Sequence, residues 1–165
     1  MRNIEIKCRC ADLAAVCRKA EELGARDAGV LIQSDTFFHA SLGRLKLRDF
    51  GDGRGELISY RRPDTAEARG CDYLIHRTGD PQTLGAVLAD ALGVAGTVRK
   101  RRHVLLLRNT RIHLDQVEGL GSFVELETVL STQTDDEARE ELEQIAGALG
   151  LRAEDRVAQA YVDLA

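Results

Sequence analysis

At 165 residues, with 44% hydrophobic and 30% charged side chains, the chain has the length of one domain and the composition of a folded protein, which excludes a disordered one. A formal net charge of -4 argues against a general nucleic-acid binder, which would carry a basic excess, so any cationic site has to be local. No stretch reaches the roughly 18 apolar residues of a membrane span, and Met1–Cys10 is charged where a signal peptide would be apolar, so a cytoplasmic protein with no nucleic-acid and no membrane partner is expected.

Along the chain, Ile4, Ile6, Cys8 and Cys10 fall on one face of a first strand, with Glu5, Lys7 and Arg9 on the other. Asp12 is placed to cap a helix in which Leu13, Val16, Cys17, Ala20 and Leu23 recur at helical spacing until Gly24 closes it. From Val30 the pattern returns to strands, at about Leu31–His39, Arg44–Phe50, Glu56–Arg62 and Cys71–Thr78. Gly43, the Gly51-Asp52-Gly53 cluster and Pro63-Asp64 separate them at hairpin-like distances. Asp80 as cap and Pro81 at the first position predict a second helix over Pro81–Leu92. Strands follow near Thr97–Arg108, Thr110–Val117 and Ser122–Leu130, then a helix from about Thr134 to Leu149 ended by Gly150, and a short tail carrying Tyr161 and Leu164. Without repeats, linkers or low-complexity segments, this is one α+β domain over residues 1–165 with about eight strands and three helices. Cys8, Cys10, Cys17 and Cys71 form no Cys-x-x-Cys pair and have no His at zinc spacing, which predicts reduced thiols.

Several strands alternate apolar residues with charges. Arg44, Lys46 and Arg48 share a face opposite Leu45 and Leu47; Arg111, His113 and Asp115 lie opposite Ile112 and Leu114; Glu125 and Glu127 lie opposite Val124 and Leu126. For any one strand, a charged face is usually a solvated one. The set points further, because the helices can cover the apolar faces, and a sheet curled closed would then carry the charges inside. Such an interior is tolerable when a polyanion and its metal neutralise it.

The run Asn3-Ile4-Glu5-Ile6-Lys7 is similar to the Glu-x-Glu-x-Lys signature that opens proteins of the CYTH superfamily, which includes class IV adenylyl cyclases and thiamine triphosphatases. Further matches follow in the family's order: Gln33-x-Asp35-Thr36-Phe37-Phe38, Gly43 to Arg48, Leu57-Ile58-x-Tyr60-x-Arg62, Lys100-x-Arg102, Arg111 to Asp115, Val117 to Gly121, and Phe123 to Glu127. The resemblance spans almost the whole chain and is similar in particular to bacterial class IV adenylyl cyclase-like proteins.

The resemblance implies an α+β fold in which about eight antiparallel strands form a β-barrel or tunnel, with about three helices packed outside. It implies Glu5, Glu125 and Glu127 as metal-binding carboxylates, with Asp115 as a further acid, and Lys7, Arg44, Lys46, Arg48, Arg62, Lys100, Arg102 and Arg111 as phosphate-binding cations. Glu5, Lys7, Glu125 and Glu127 would carry the catalysis. Magnesium or manganese suits two carboxylates two residues apart on one strand face, and arginine forks suit phosphate oxygens. The departure is Asn3, where the family's first signature glutamate is usual: its carbonyl can ligate a hard cation but brings no charge.

The leading expectation is a metal-dependent hydrolase of inorganic triphosphate, ATP or thiamine triphosphate. A class IV adenylyl cyclase making cyclic AMP and pyrophosphate is the alternative, and a non-catalytic polyphosphate- or nucleotide-binding module a third. His113 could donate to phosphate, move protons or make a structural hydrogen bond. Tyr60 fills the barrel wall or touches ligand. Tyr161 folds over the tunnel, as the resemblance suggests, or anchors the core. In Arg99-Lys100-Arg101-Arg102 the faces divide, leaving Arg99 and Arg101 solvated. Oligomeric state is open, a homodimer being the commonest small assembly.

Overall fold

The computed structural model describes all residues, Met1–Ala165. In chain order the elements are β1 (Arg2–Arg9), α1 (Leu13–Glu22), β2 (Arg26–Phe38), β3 (Arg44–Asp49), β4 (Gly55–Arg61), β5 (Arg69–Thr78), α2 (Pro81–Leu92), β6 (Val94–Leu107), β7 (Thr110–Val117), β8 (Gly121–Val129), α3 (Asp135–Ala148) and α4 (Tyr161–Leu164). The strands form one closed antiparallel barrel in the order β1-β5-β4-β3-β2-β6-β7-β8, with β1 pairing both β5 and β8. Closure leaves no strand edge open to pair with another chain.

Local chemistry accounts for the elements. Asp12 and Asp80 accept from Ala15 and Thr83 at the starts of α1 and α2, and Pro81 sits in the first turn of α2. Thr134 and Glu137 form a reciprocal capping box on α3. Gly43, at φ +64° between β2 and β3, is required on two counts. The angle suits glycine, and a Cβ there would meet the Tyr60 carbonyl oxygen at 2.6 Å.

The structure extends the starts of three predicted strands, β5 among them from Arg69, and adds a helix. β2 starts at Arg26 and β6 at Val94, earlier than alternation indicates. The β2–β6 ladder shifts register between Asp27 and Val30, where Gly29 lies at φ +94°, and a bulge of that kind erases the period-two signal. The tail folds as α4, four residues long and too short to leave a periodic signature.

The main core lies outside the barrel. Ile4, Ile6 and Cys8 of β1, Leu105, Ile112, Leu114, Val124 and Leu126 of β6–β8, Val16 and Ala20 of α1, and Ala138, Leu142, Ile145 and Ala146 of α3 belong to one buried cluster. With that face of β1 and β6–β8 committed to the helices, the alternate residues of those strands must point inward. A second cluster, Phe37, Val98, Val117, Phe123, Val157 and Tyr161, plugs one end of the barrel with the C-terminal segment. No helix is long and apolar enough to cross a membrane. All four cysteines are unpaired.

Candidate functional site

Between the plug and the opposite rim lies a cavity of about 360 Å³. Its lining includes Glu5 and Lys7 of β1, Lys46 and Arg48 of β3, Tyr60 of β4 and Arg62 just beyond it, Lys100 and Arg102 of β6, Arg111 and His113 of β7, and Glu125 and Glu127 of β8. The ladders bring these together: Glu5 stands opposite Glu127, Lys7 opposite Glu125, and Arg111 and His113 opposite Glu127 and Glu125.

The charges are organised as local sets. Asp35 accepts from Arg48 at 2.8 and 2.9 Å, from Lys46 at 3.0 Å and from Lys100 at 3.1 Å. Arg102 grips Asp115 through two bonds of 2.7 and 2.6 Å and reaches Glu125 at 3.3 Å. Glu5 lies 3.3 Å from Arg62 and 3.4 Å from Arg69, and Arg111 donates to Glu127 at 2.7 Å. His113, Glu125 and Glu127 each offer a ligand atom within 4.8 Å of the others. The His113 Nδ1 is buried with no hydrogen-bond partner, 3.9 Å from an oxygen of each glutamate.

Burial and these neighbours move the titrations in opposite directions. Burial, reinforced by repulsion from Glu127 and Glu125, raises the Glu5 carboxyl. Burial also pushes Glu125 upward, but Arg102, then the adjacent His113 and Lys7, outweigh it and hold that carboxyl well below its usual range. Burial lowers the Lys7 ammonium to about 8 and the Lys100 ammonium to about 7, against attraction from Glu125 and Asp35 respectively. His113 is lowered by burial and then by Arg102, against the pull of Glu127 and Glu125, a shift that favours the neutral ring.

Two predicted site residues lie elsewhere. Asp115 does not line the cavity: it is fully buried, both its oxygens are taken by Arg102, and the Tyr161 hydroxyl donates to it at 2.8 Å. It pairs with Phe123 and Arg102 one inward step nearer the plug than His113, so it braces an arginine and lies outside the cluster of His113, Glu125 and Glu127. Arg44, at the plugged rim, ion-pairs with Asp163 at 2.5 Å and Asp64 at 3.5 Å and does not line the cavity. Asn3 does line it, with a buried Oδ1 lacking a hydrogen-bond partner. Tyr60 stands in the wall, 5.6 Å from the Lys46 ammonium and 6.0 Å from the Arg62 guanidinium.

Sequence reasoning missed two members, Asp35 and Arg69. Asp35 is in phase with Gln33 and Phe37 on the inner face of β2, a signal that was present but overshadowed by the basic strands. Arg69 precedes the predicted start of its strand by two residues; it shares the inward phase of Cys71 and Tyr73 and donates to the Thr65 and Ala158 carbonyls as well as Glu5. Tyr161, expected over the tunnel or in the core, answers to both: it belongs to the buried plug and lines the cavity, its ring 4.0 Å from the Lys7 ammonium. The carbonyls of Ala158 and Gln159 also accept from Arg62 at 3.2 Å and Lys7 at 3.0 Å, fastening the C-terminal segment over that end.

A CYTH domain profile matches residues 1–161. The PH1012 protein of Pyrococcus horikoshii OT3 is 28% identical and superposes with a TM-score of 0.88 over 98% of each chain. A conserved hypothetical protein of Pyrococcus furiosus gives 23% and 0.88 over 99% of each. A candidate adenylyl cyclase of Hippeastrum with a dominant triphosphatase activity gives 18% and 0.65 over 96% of this chain and 91% of its own. Comparison with curated proteins finds no match.

Proposed function

The chain belongs to the CYTH family, and from that premise we propose that it is a divalent-metal-dependent enzyme that binds a triphosphate in the barrel and cleaves a phosphoanhydride bond. The observation that carries this reading is the composition of one cavity wall: lysines and arginines from β1, β3, β6 and β7 facing the cluster of His113, Glu125 and Glu127. Phosphoryl transfer requires mainly positioning and charge neutralisation, and these side chains offer both.

The donor set fits magnesium or manganese. Two carboxylates and the unpartnered His113 nitrogen converge in a buried pocket, with Glu5 on the neighbouring strand. Glu125, Glu127 and His113 would hold the ion, which supplies charge neutralisation at phosphate oxygens. The protein's own part is to orient the chain of phosphates with Lys7, Lys46, Arg48, Arg62, Lys100, Arg102 and Arg111. In hydrolysis a water oxygen bonds to phosphorus as the bridging oxygen leaves, and the water proton goes to solvent or to a carboxylate.

The cyclase reading has its own support: the cavity wall beyond the cations includes Leu31, Phe50, Tyr73, Ile75 and Val104, an apolar surface that inorganic triphosphate has no use for. Phosphorus NMR of inorganic triphosphate, ATP and thiamine triphosphate, each with magnesium or manganese, separates the outcomes. Orthophosphate release supports a hydrolase, and cyclic AMP with pyrophosphate supports a cyclase. Binding without turnover supports a non-catalytic module, and absence of both binding and turnover refutes the proposal.

A further inference from the structure

Asp35 stands apart from the other interior acids. It is 1% exposed, it lies on β2 away from Glu125 and Glu127, and its two oxygens accept all four of the hydrogen bonds offered by Lys46, Arg48 and Lys100. The Oδ2 atom alone takes three of these donors. Three cations converging on clustered oxygens is the arrangement a phosphoryl group would demand of the same side chains.

We infer that Asp35 is an internal phosphate surrogate: a positioning residue that holds Lys46, Arg48 and Lys100 together in the empty barrel and competes with bound phosphate for them. The inference rests on the triphosphate reading above and adds to it a residue that sets how tightly substrate and product are held. Asp35 offsets one of the positive charges that Lys46, Arg48 and, when protonated, Lys100 bring to this part of the wall. Without the carboxylate, all three cations face the ligand uncompensated, and each donor spent on Asp35 is free for a phosphate oxygen.

The same geometry explains why a competitor belongs there. Lysine and arginine side chains forced together without a counter-charge repel one another in a poorly solvated interior, so the empty barrel needs an anion. A fixed one supplies it at all times. Its cost is weaker capture of phosphate, and its benefit is that product is not held irreversibly; uniform tight binding of ligand does not raise turnover.

The test is Asp35→Asn, with inorganic triphosphate and pyrophosphate binding measured by calorimetry in EDTA, so that no metal contributes. The variant is expected to bind both anions on the order of tenfold tighter than wild type, about 1.4 kcal/mol. Its affinity should also fall more steeply with salt. Its free form should melt lower than wild type, and triphosphate should raise its melting temperature by more than it raises that of wild type. A merely structural aspartate would lower stability without tightening binding.

Wild type that binds alongside a variant that binds equally or more weakly overturns the inference and leaves the triphosphate reading standing. Wild type that binds neither anion overturns that reading, and the inference with it. If the variant is unfolded alone, folding on addition of inorganic triphosphate supports the surrogate role, because the anion then replaces what the carboxylate did. A variant that stays unfolded with triphosphate present overturns it.

Discussion

Asp115→Asn tests whether this acid braces an arginine or holds a metal. The substitution keeps the side chain's volume and removes the charge that Arg102 pairs with through bonds of 2.7 and 2.6 Å at a fully buried position. Breaking a buried pair by neutralising one partner typically costs about 3–5 kcal/mol, because the other charge stays behind. Glu125, 3.3 Å from Arg102, partly compensates and sets the expectation at the low end, about 3 kcal/mol. For a chain of this size that is a fall in melting temperature of roughly 6–12 °C. Urea denaturation gives the free energy, and manganese titration followed by electron paramagnetic resonance gives the metal affinity. The expected result is a destabilised protein with unchanged manganese affinity and weakened triphosphate binding through a loosened Arg102. The double variant Arg102→Met, Asp115→Leu should recover most of the stability, since an apolar pair can replace a buried ion pair at little cost. A manganese affinity reduced tenfold or more with stability within about 1 kcal/mol of wild type would refute the bracing role and restore Asp115 to the metal set. The pH dependence carries a sign as well. Burial raises the Asp115 carboxyl but Arg102 outweighs it, so its folded value is depressed. Its contribution is therefore present above the unfolded value and lost as pH falls through the folded one, and the gap between wild type and variant should narrow in acid.

Glu127→Gln removes one of the convergent carboxylates and should lower metal-dependent turnover by more than the roughly 10- to 100-fold that outer-shell changes cost, while circular dichroism stays unchanged; full activity would take this glutamate out of the metal site. Lys100, held by burial at about 7 in the folded chain, is more fully protonated when unfolded, so stability of the free protein should rise with pH from about 7 toward its ordinary range. A bound polyanion favours the ammonium, so triphosphate binding at pH 8 should take up protons, read by calorimetry in buffers of different ionisation enthalpy. Zero uptake would show that Lys100 does not sense the ligand, and Lys100→Met should reduce the uptake.

The barrel was legible because the same residues answer two requirements. Ile4, Ile6, Val124 and Leu126 must reach the core under α1 and α3, and the period of two then fixes Glu5, Lys7, Glu125 and Glu127 on the inside. Strand starts were less legible, since the bulge around Gly29 breaks the alternation of β2. Nor could α4 declare itself in four residues; it is held by the plug and by the Arg44–Asp163 pair, which are long-range contacts.

What alternation cannot give is position around the ring and along its axis. Asp35, Asp115 and Glu125 all lie in the inward phase of their strands, yet their roles diverge with register. Glu125 stands opposite His113 and Lys7 at the middle of the cavity. Asp115, one inward step toward the plug, stands opposite Arg102 and meets Tyr161, so it is spent on bracing. Asp35 stands opposite Arg48 and beside the lysines of β3 and β6, where no other acid is within ion-pair reach of them. A closed barrel cannot fold around uncompensated cations, so some interior acids must serve the protein's own arginines and lysines, and only the remainder can serve a metal. Occupancy separates the two groups: both oxygens of Asp35 and of Asp115 accept from cations, while Glu125 and Glu127 each accept through one oxygen. Asp35 and Asp115 are saturated by cations within 3.1 Å, whereas the His113 nitrogen between Glu125 and Glu127 has no partner at all. An unpartnered nitrogen standing between two carboxylates, more than the count of carboxylates, is what the proposed cation site rests on.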